Sequence, residues 1–599
     1  MPPPDDLTLL REYEPVVRLT RGEHFRPMAV EPYVAQCSLW LDDEQSQKAR
    51  LLVPAGQLDV DRLCGEARAH PRDRLHLRFV EKPLAVATLT RRGARLRERP
   101  AGLGRLGSVG LLARFVDAGL RGSLILRGRV PGATGATAQL QYRDAVGDPP
   151  VCTYYGRVVR DGGYACLQYW FFYPMNDWRS AFAGINEHES DWEMITVYLA
   201  EDDDGPPTPQ WVAFSSHDYK GDDLRRRWDD PELRREGEHP VVFAGAGSHS
   251  GAFVPGDYLV QVQPVGRAGA LVSGFERASA ALFPWLREDR PGVGIPFIDY
   301  ARGDGEAVGP AQPLPWTPEV VADSTPWVRD FRGLWGLDTR DRLGGERAPA
   351  GPRYERDGSV RPSWADPLGW AGLHKVAPTE EERDELLEER VVLIDEELTA
   401  LDAEVEERRE ALRRRRLVAV TLAKAGSDAL ARERASELDE GEAAVSTLLR
   451  RRADLLHERD VHSAALAAPE EPEPVQSHLR HAHEPYVAGG DVRERFLRVW
   501  SSLSVPLMLA LFVAMLFVPL SPLLLFVVAA VVGVLAVEAF ARKRLLAFLG
   551  TVAVLAGVAV GLWFLLLWLG GNWRLGIAVI VGATAVVLLY TAVRDMVRK

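Results

Sequence analysis

The stretch LQYWFFYPMNDWRSAFAGINEHESDWEMITVYL, residues 167–199, decides how the first half of this chain is read. Its opening run is apolar on both faces, as a central strand of a packed sheet requires. A turn follows, and then an alternation in which Asp191, Glu193, Ile195, Val197 and Leu199 share one face of a strand. The last three are core residues, so the two carboxylates are expected at the rim of that core, with Trp192 on the opposite face. Two carboxylates this close repel, and one pKa rises unless a cation neutralises them. With His188 as a direct ligand or as the holder of a metal-bound water, the set predicts a divalent-cation site. Oxygen-rich donors with few thiols favour Ca2+, Mg2+ or Mn2+ over a structural zinc. Pairing with arginines, or capping of loop amides, is the alternative that spacing alone leaves open.

Around this stretch, residues 1–375 show short runs rich in Val, Tyr, Phe and Trp, punctuated by Gly and Pro. The pattern predicts a mainly-β sandwich with long connections and no long amphipathic helix. Candidate strands are 165–173, 193–199, 210–215 and 240–244. His217, followed by Asp218, and His249, in the Gly-rich turn AGAGSHS, are candidate ligand-binding residues, together with Trp192. With His188 they are expected to line one polar cleft at the sandwich end. Ser248-His249-Ser250 does not match GxSxG and lacks a strand–elbow–helix setting, which argues against a serine-hydrolase triad.

Composition changes sharply at Pro378. Residues 379–460 are rich in Glu, Arg, Leu and Ala, and Leu387, Val391, Ile394, Leu398, Leu401 and Val405 follow a coiled-coil spacing. Ala425-Gly426-Ser427 interrupts the pattern, and Ser427 or Asp428 is available as a new N-cap. A second seam is expected from Leu438, Val445, Leu449 and Leu456. An antiparallel helical hairpin fits this, with a homo-oligomeric coiled coil as the alternative. Residues 461–495 read as a linker whose His478, His481 and His483 are candidate metal ligands.

Residues 498–595 contain four long apolar runs, 505–520, 523–540, 545–569 and 575–593, and predict four transmembrane helices. Basic residues precede the first run, separate the second from the third, and follow the fourth. By the positive-inside rule both termini and the N-terminal domain are expected in the cytoplasm, on a multi-pass inner (plasma) membrane protein. Glu538 is expected to snorkel and pair with Arg542 four residues on.

The remaining composition narrows the class. Over 599 residues the formal charge is −12, which argues against nucleic acid as a partner. The excess of Arg over Lys is typical of a GC-rich bacterial genome. Cys37, Cys64, Cys152 and Cys166 lack CxxC spacing and are expected to be core thiols. The N-terminus has neither the basic start nor the apolar stretch of a signal peptide.

The segments YYGRVVRDGGYACLQYWFFYPMND, HESDWEMITVYL, WVAFSSHDYKGDD and HPVVFAGAGSHSGAF, in that order, resemble the vacuolar protein sorting-associated protein 62 family. The earlier LREYEPVVRLTRGEHFRPMAVEPYV is similar to that family's opening segment. The HxxDWE pattern is also similar, more distantly, to the metal-binding heptapeptide of the necrosis- and ethylene-inducing-like proteins. Those are β-sandwich toxins that bind a divalent cation and sphingolipid headgroups. That second resemblance implies His188, Asp191 and Glu193 as metal ligands, with Asn176 or Asp177 near the family's upstream acidic ligand and His249 as its distant histidine. The chain departs from the pattern at Glu189-Ser190, so only the cation site is carried over.

These readings converge on a membrane-anchored cytoplasmic binding module, with membrane lipids as partners. Its ligand would be a polar group such as a lipid headgroup or glycan, held through a divalent cation. A metal-dependent hydrolase of phosphoester or acyl bonds, with His217 or His249 as base, is the first alternative. A coiled-coil scaffold in trafficking or envelope maintenance is the second.

Overall fold

The computed structural model describes residues 5–42, 49–71, 74–83, 118, 133–147, 149–177, 187–201, 205–216, 221–262, 295–337, 348–467, 483–485, 492–516, 522–541 and 544–571, with scattered positions beyond. A six-stranded sheet forms the centre of the N-terminal region. Its order is Trp316–Val320, Cys152–Asp161, Tyr164–Asn176, His188–Ala200, Thr208–Phe214 and Arg226–Arg227. The first pair is parallel and the others antiparallel. Tyr164–Asn176 is buried at every position, as the two-sided apolar run required.

The second large sheet places Val16–Arg18 parallel to His239–Ala244, which also pairs with Arg235–Glu236 and Gly251–Ala252. One core joins the two sheets: Leu199 and Phe214 from the first pack in the same cluster as Val17, Val242 and Ala244 from the second. The strands His239–Ala244 and Thr208–Phe214 agree with the expected ones within two residues. The strand expected from Glu193 instead begins at His188, so the HESDWE segment lies inside the sheet rather than at its mouth.

The N-terminal region is more mixed than a pure sandwich. Short helices Asp6–Glu12, Val30–Gln36, Val60–Ala69 and Ala133–Ala145 pack around the sheets, and Ser38–Asp42, Ala49–Val53 and Arg74–Arg78 form a three-stranded sheet of their own. Those helices are short and carry much of their apolar content toward one core, so the sequence shows no sustained helical period. All four cysteines are buried free thiols, as expected.

Residues beyond Pro378 form the long helical pair. Glu380–Lys424 starts on the Thr379 side chain, which accepts from Glu382 N at 3.2 Å, and Asp428–Ala467 follows Gly426 at φ 75°. The cross-links Arg390–Glu458 and Arg452–Asp402 run antiparallel. Ile394, Leu398 and Val405 are buried in the interface, as their spacing requires. On the second helix Val445 and Leu455 are buried while Leu449 is exposed, so the seam is displaced from the expected Leu449. The uneven spacing of leucines there makes several phases compatible with the sequence.

The expectation of four spans is reduced. Among the described residues one helix, with its apolar segment Leu545–Trp568 of 24 residues, is long and apolar enough to cross a membrane. Val492–Leu516 opens with Arg493, Glu494, Arg495 and Arg498 and carries Pro506 inside, which shortens its apolar part. Pro522–Ala541 is a 20-residue helix whose described apolar stretch is Ala529–Phe540. The fourth run lies mostly outside the described residues. Glu538 is fully buried and accepts from the Trp500 indole at 2.7 Å; Arg542, its expected partner, lies outside the described residues.

Candidate functional site

Antiparallel pairing of Tyr164–Asn176 with His188–Ala200 sets the first side of the site. It places Asn176 opposite His188, Tyr173 opposite Asp191 and Phe171 opposite Glu193. Ser190 has φ 59°, a left-handed conformation that a residue with a Cβ adopts at some cost. That turn in the backbone separates Glu189 from Asp191, which plain alternation would have put on one face. Glu189 reaches the small sheet, where it accepts from Phe79 N and Val80 N at 2.8 Å and from Leu337 N at 3.1 Å. Burial lifts its carboxyl above the usual range while the three amides pull the other way.

Asp191 turns toward the second sheet. Its Oδ2 accepts from Asn176 Nδ2 at 3.1 Å and meets His249 Nδ1 at 3.0 Å. His249 itself has φ 58°, and its ring stacks on Tyr173 with centroids 3.8 Å apart and planes 5° from parallel. On its far side Nε2 lies 3.6 Å from Glu23 Oε1. Glu23 is held in turn by backbone: His24 N and Phe25 N donate to Oε1, and Gly247 N donates to Oε2. The His249 side chain is 0% exposed, so water screens none of this.

The electrostatic result is a buried imidazolium between two carboxylates. Burial alone would lower the His249 pKa, but the contacts with Asp191 and Glu23 and their charges outweigh it and push it up to about 10. Burial would likewise raise Glu23, and the His249 contact and charge together with the Phe25 amide hold it well below the ordinary carboxylate range. A histidine so held keeps its proton through neutral pH and offers no free lone pair to a water or hydroxyl.

The other sequence-predicted residues are distributed around this pair. His188 is buried, with Nδ1 2.7 Å from the Ser190 carbonyl. Glu193 accepts from Ser215 Oγ at 2.5 Å, and Met194 N donates to the same hydroxyl at 2.8 Å. Asp177 is buried against the first turn of Ala133–Ala145, where a Cβ on Gly135 would come within 3.0 Å of its carboxyl. Trp192 faces away from Asp191 and packs among Phe172, Trp327 and Trp335, with ring centroids 5.0 to 5.9 Å distant. It is a core residue. His217, Asp218, His478 and His481 lie outside the described residues.

The donors have the hard oxygen and imidazole chemistry that Ca2+, Mg2+ or Mn2+ takes. Each donor is, however, already engaged, and their ligand atoms do not gather. Among the described residues the group of three His, Cys, Asp or Glu side chains whose ligand atoms lie within 4.8 Å of one another is Asp161, Asp366 and His374, all exposed. Among the described residues Ser190 Oγ, buried beside Asp191, has no hydrogen-bond partner, while His249 Nε2 faces Glu23 Oε1 at 3.6 Å. Asp191, His188 and His249 are named by the sequence pattern, whereas Glu23 follows Gly22 in a loop with no local signal of its chemistry.

No protein-family model and no curated protein matches the chain. Among solved structures it is similar to a non-toxic HaNLP3 protein, at 17% identity over 15% of this chain and 39% of that one, with a TM-score of 0.13. NLPPya, solved in complex with mannosamine and with glucosamine, matches at 19% and 18% identity over 17% of this chain and 44% of its own, also with a TM-score of 0.13. The chain thus spans less than half the length of these structures. The similarity is weak and partial.

Proposed function

We propose that the N-terminal region is a binding module, not an enzyme, and that Asp191 is the centre of its site. His188 and Glu193 would join Asp191 around a divalent cation, through which a polar ligand such as a lipid headgroup or glycan is recognised. The observation that carries binding over catalysis is the state of His249. At 3.0 Å from Asp191 and 3.6 Å from Glu23 it is engaged on both sides and holds Asp191 in place, which favours binding over use of His249 as a free base. Two non-glycine residues in left-handed backbone, Ser190 and His249, flank the same carboxylate, and such strain persists where a site requires it. The orphaned Ser190 Oγ supports a further polar guest.

The segments that resemble the vacuolar protein sorting-associated protein 62 family include every one of these residues, and membership of that family is part of this reading. A membrane tether on the C-terminal side, with the module on the cytoplasmic face of the plasma membrane, is the other part. The apolar segment Leu545–Trp568 and the arginines before it support the tether.

Cation binding has to exchange existing hydrogen bonds at Glu193 and His188, so weak affinity is expected, with Kd on the order of 0.1–1 mM. Calorimetric titration of the full chain in neutral detergent with Ca2+, Mg2+ and Mn2+ checks this. Saturable binding that is lost in the Asp191→Asn, Glu193→Gln double variant is the expected result. Absence of saturable heat, or equal affinity in the variant, contradicts the cation site.

A further inference from the structure

A cavity of about 460 Å³ opens on the other large sheet, and its lining does not include Asp191. Its floor is Val241 and Phe243 of the strand His239–Ala244, and its walls carry four guanidinium groups, those of Arg18, Arg234, Arg235 and Arg302, against the carboxylates of Glu236 and Asp304.

Three of these four arginines have an acidic partner. Glu236 already accepts from Arg18 at 2.5 Å and from Gln312 at 2.9 Å, and Asp304 accepts from Arg21 N at 2.9 Å. Arg302 is spent on a two-pronged pair with Asp257, at 2.7 and 2.8 Å. Arg234 is left with no carboxylate partner among the described residues, its guanidinium 5.6 Å from the centre of the Phe243 ring. Arg235 lies 4.9 Å from the centre of the Trp228 ring and pairs with Glu238 at 4.0 Å. Stacking on an aromatic face steadies a guanidinium while leaving its N–H fork open. Gly303, at φ 62°, brings bare backbone against the Phe243 ring at the cavity floor, where a Cβ would collide.

We propose that this cavity is an anion site for a phosphate group, read by the open forks of Arg234 and Arg235 and backed by the paired Arg18 and Arg302. Planar forks suit the tetrahedral oxygens of phosphate, and Arg is the side chain that binds them bidentately. The phosphate is either free in solution or the headgroup of an anionic lipid, and the chemistry is the same for both. The site stands independently of the Asp191 centre.

The full chain in neutral detergent, titrated calorimetrically at low salt with inorganic phosphate and, separately, with dihexanoyl phosphatidic acid, tests the proposal. Saturable binding of at least one is expected, weakened about tenfold in the double variant R234Q/R235Q, with the wild-type affinity falling as sodium chloride is raised. Tighter binding of the lipid identifies a headgroup as the source, and equal or tighter binding of phosphate identifies the free anion. Both arginines are exposed, so an unchanged melting temperature shows that the double variant is folded. No saturable binding of either probe, or a loss below threefold in R234Q/R235Q, overturns the proposal.

Discussion

Substituting His249→Gln is expected to destabilise the N-terminal region by about 3–5 kcal/mol, the usual cost of leaving buried charge without its partner. Glutamine is close in size, so the change isolates the lost positive charge. Glu23 and Asp191 would then face each other across a buried neutral amide. Urea unfolding of the full chain in detergent, followed by tryptophan fluorescence, reports this through the buried cluster of Trp192, Trp327 and Trp335. A shift of the midpoint worth less than about 1 kcal/mol would show that the imidazolium is not what holds the two carboxylates.

The same variant should change the pH dependence in a defined way. The His249 pKa is raised on folding, from 6.5 to about 10, so its stabilisation is fully present below pH 6.5 and is lost as pH rises through about 10. Glu23 is lowered on folding, so its stabilisation is present above about 4.5 and is lost as pH falls toward the folded value. Stability of the wild type should therefore be greatest between these limits and decline on both sides. In His249→Gln both declines should flatten, since each arises from the same contact.

The second large effect is expected at Glu189. Glu189→Ala removes the acceptor for Phe79 N, Val80 N and Leu337 N at once, and each buried donor left without a partner costs about 1–3 kcal/mol. A loss of roughly 3–5 kcal/mol is expected, and it should be local. Arg74–Arg78 is joined to the 331–337 segment by Leu77 N to Leu334 O and Leu334 N to Leu75 O, both at 2.9 Å, so those amides should exchange faster together. Hydrogen exchange read by mass spectrometry measures this directly. Glu189→Gln keeps one acceptor oxygen and should give a smaller effect. Equal protection in Glu189→Ala and wild type would show that other contacts hold the small sheet in place.

How far the sequence could be read depends on whether its signals were local. The central strand was legible because every position from Tyr164 to Asn176 is buried, which leaves an uninterrupted apolar run. The helical pair was legible from the spacing of Ile394, Leu398 and Val405 and from the Gly426 break. The start of the strand at His188 was not. Polar residues inside a sheet look like a turn when their partners, Glu23, His249 and the amides of Phe79 and Val80, come from distant segments. The fates of Glu189 and Asp191 depend on one positive φ at Ser190, which no residue pattern announces. Among the described residues the membrane reading narrows to Leu545–Trp568, since Pro506 lies inside the first apolar run and the fourth run lies mostly outside the described residues.

The most direct test of the account is the position of a bound ion. Crystals of the full chain grown with Mn2+, with diffraction data collected at the manganese absorption edge, should show an anomalous peak about 2.0–2.6 Å from an Asp191 carboxylate oxygen, with His188 or Glu193 turned from its present partner to join it. An anomalous map with no peak at Asp191, and with His249 still seated between Asp191 and Glu23 at saturating Mn2+, would contradict it.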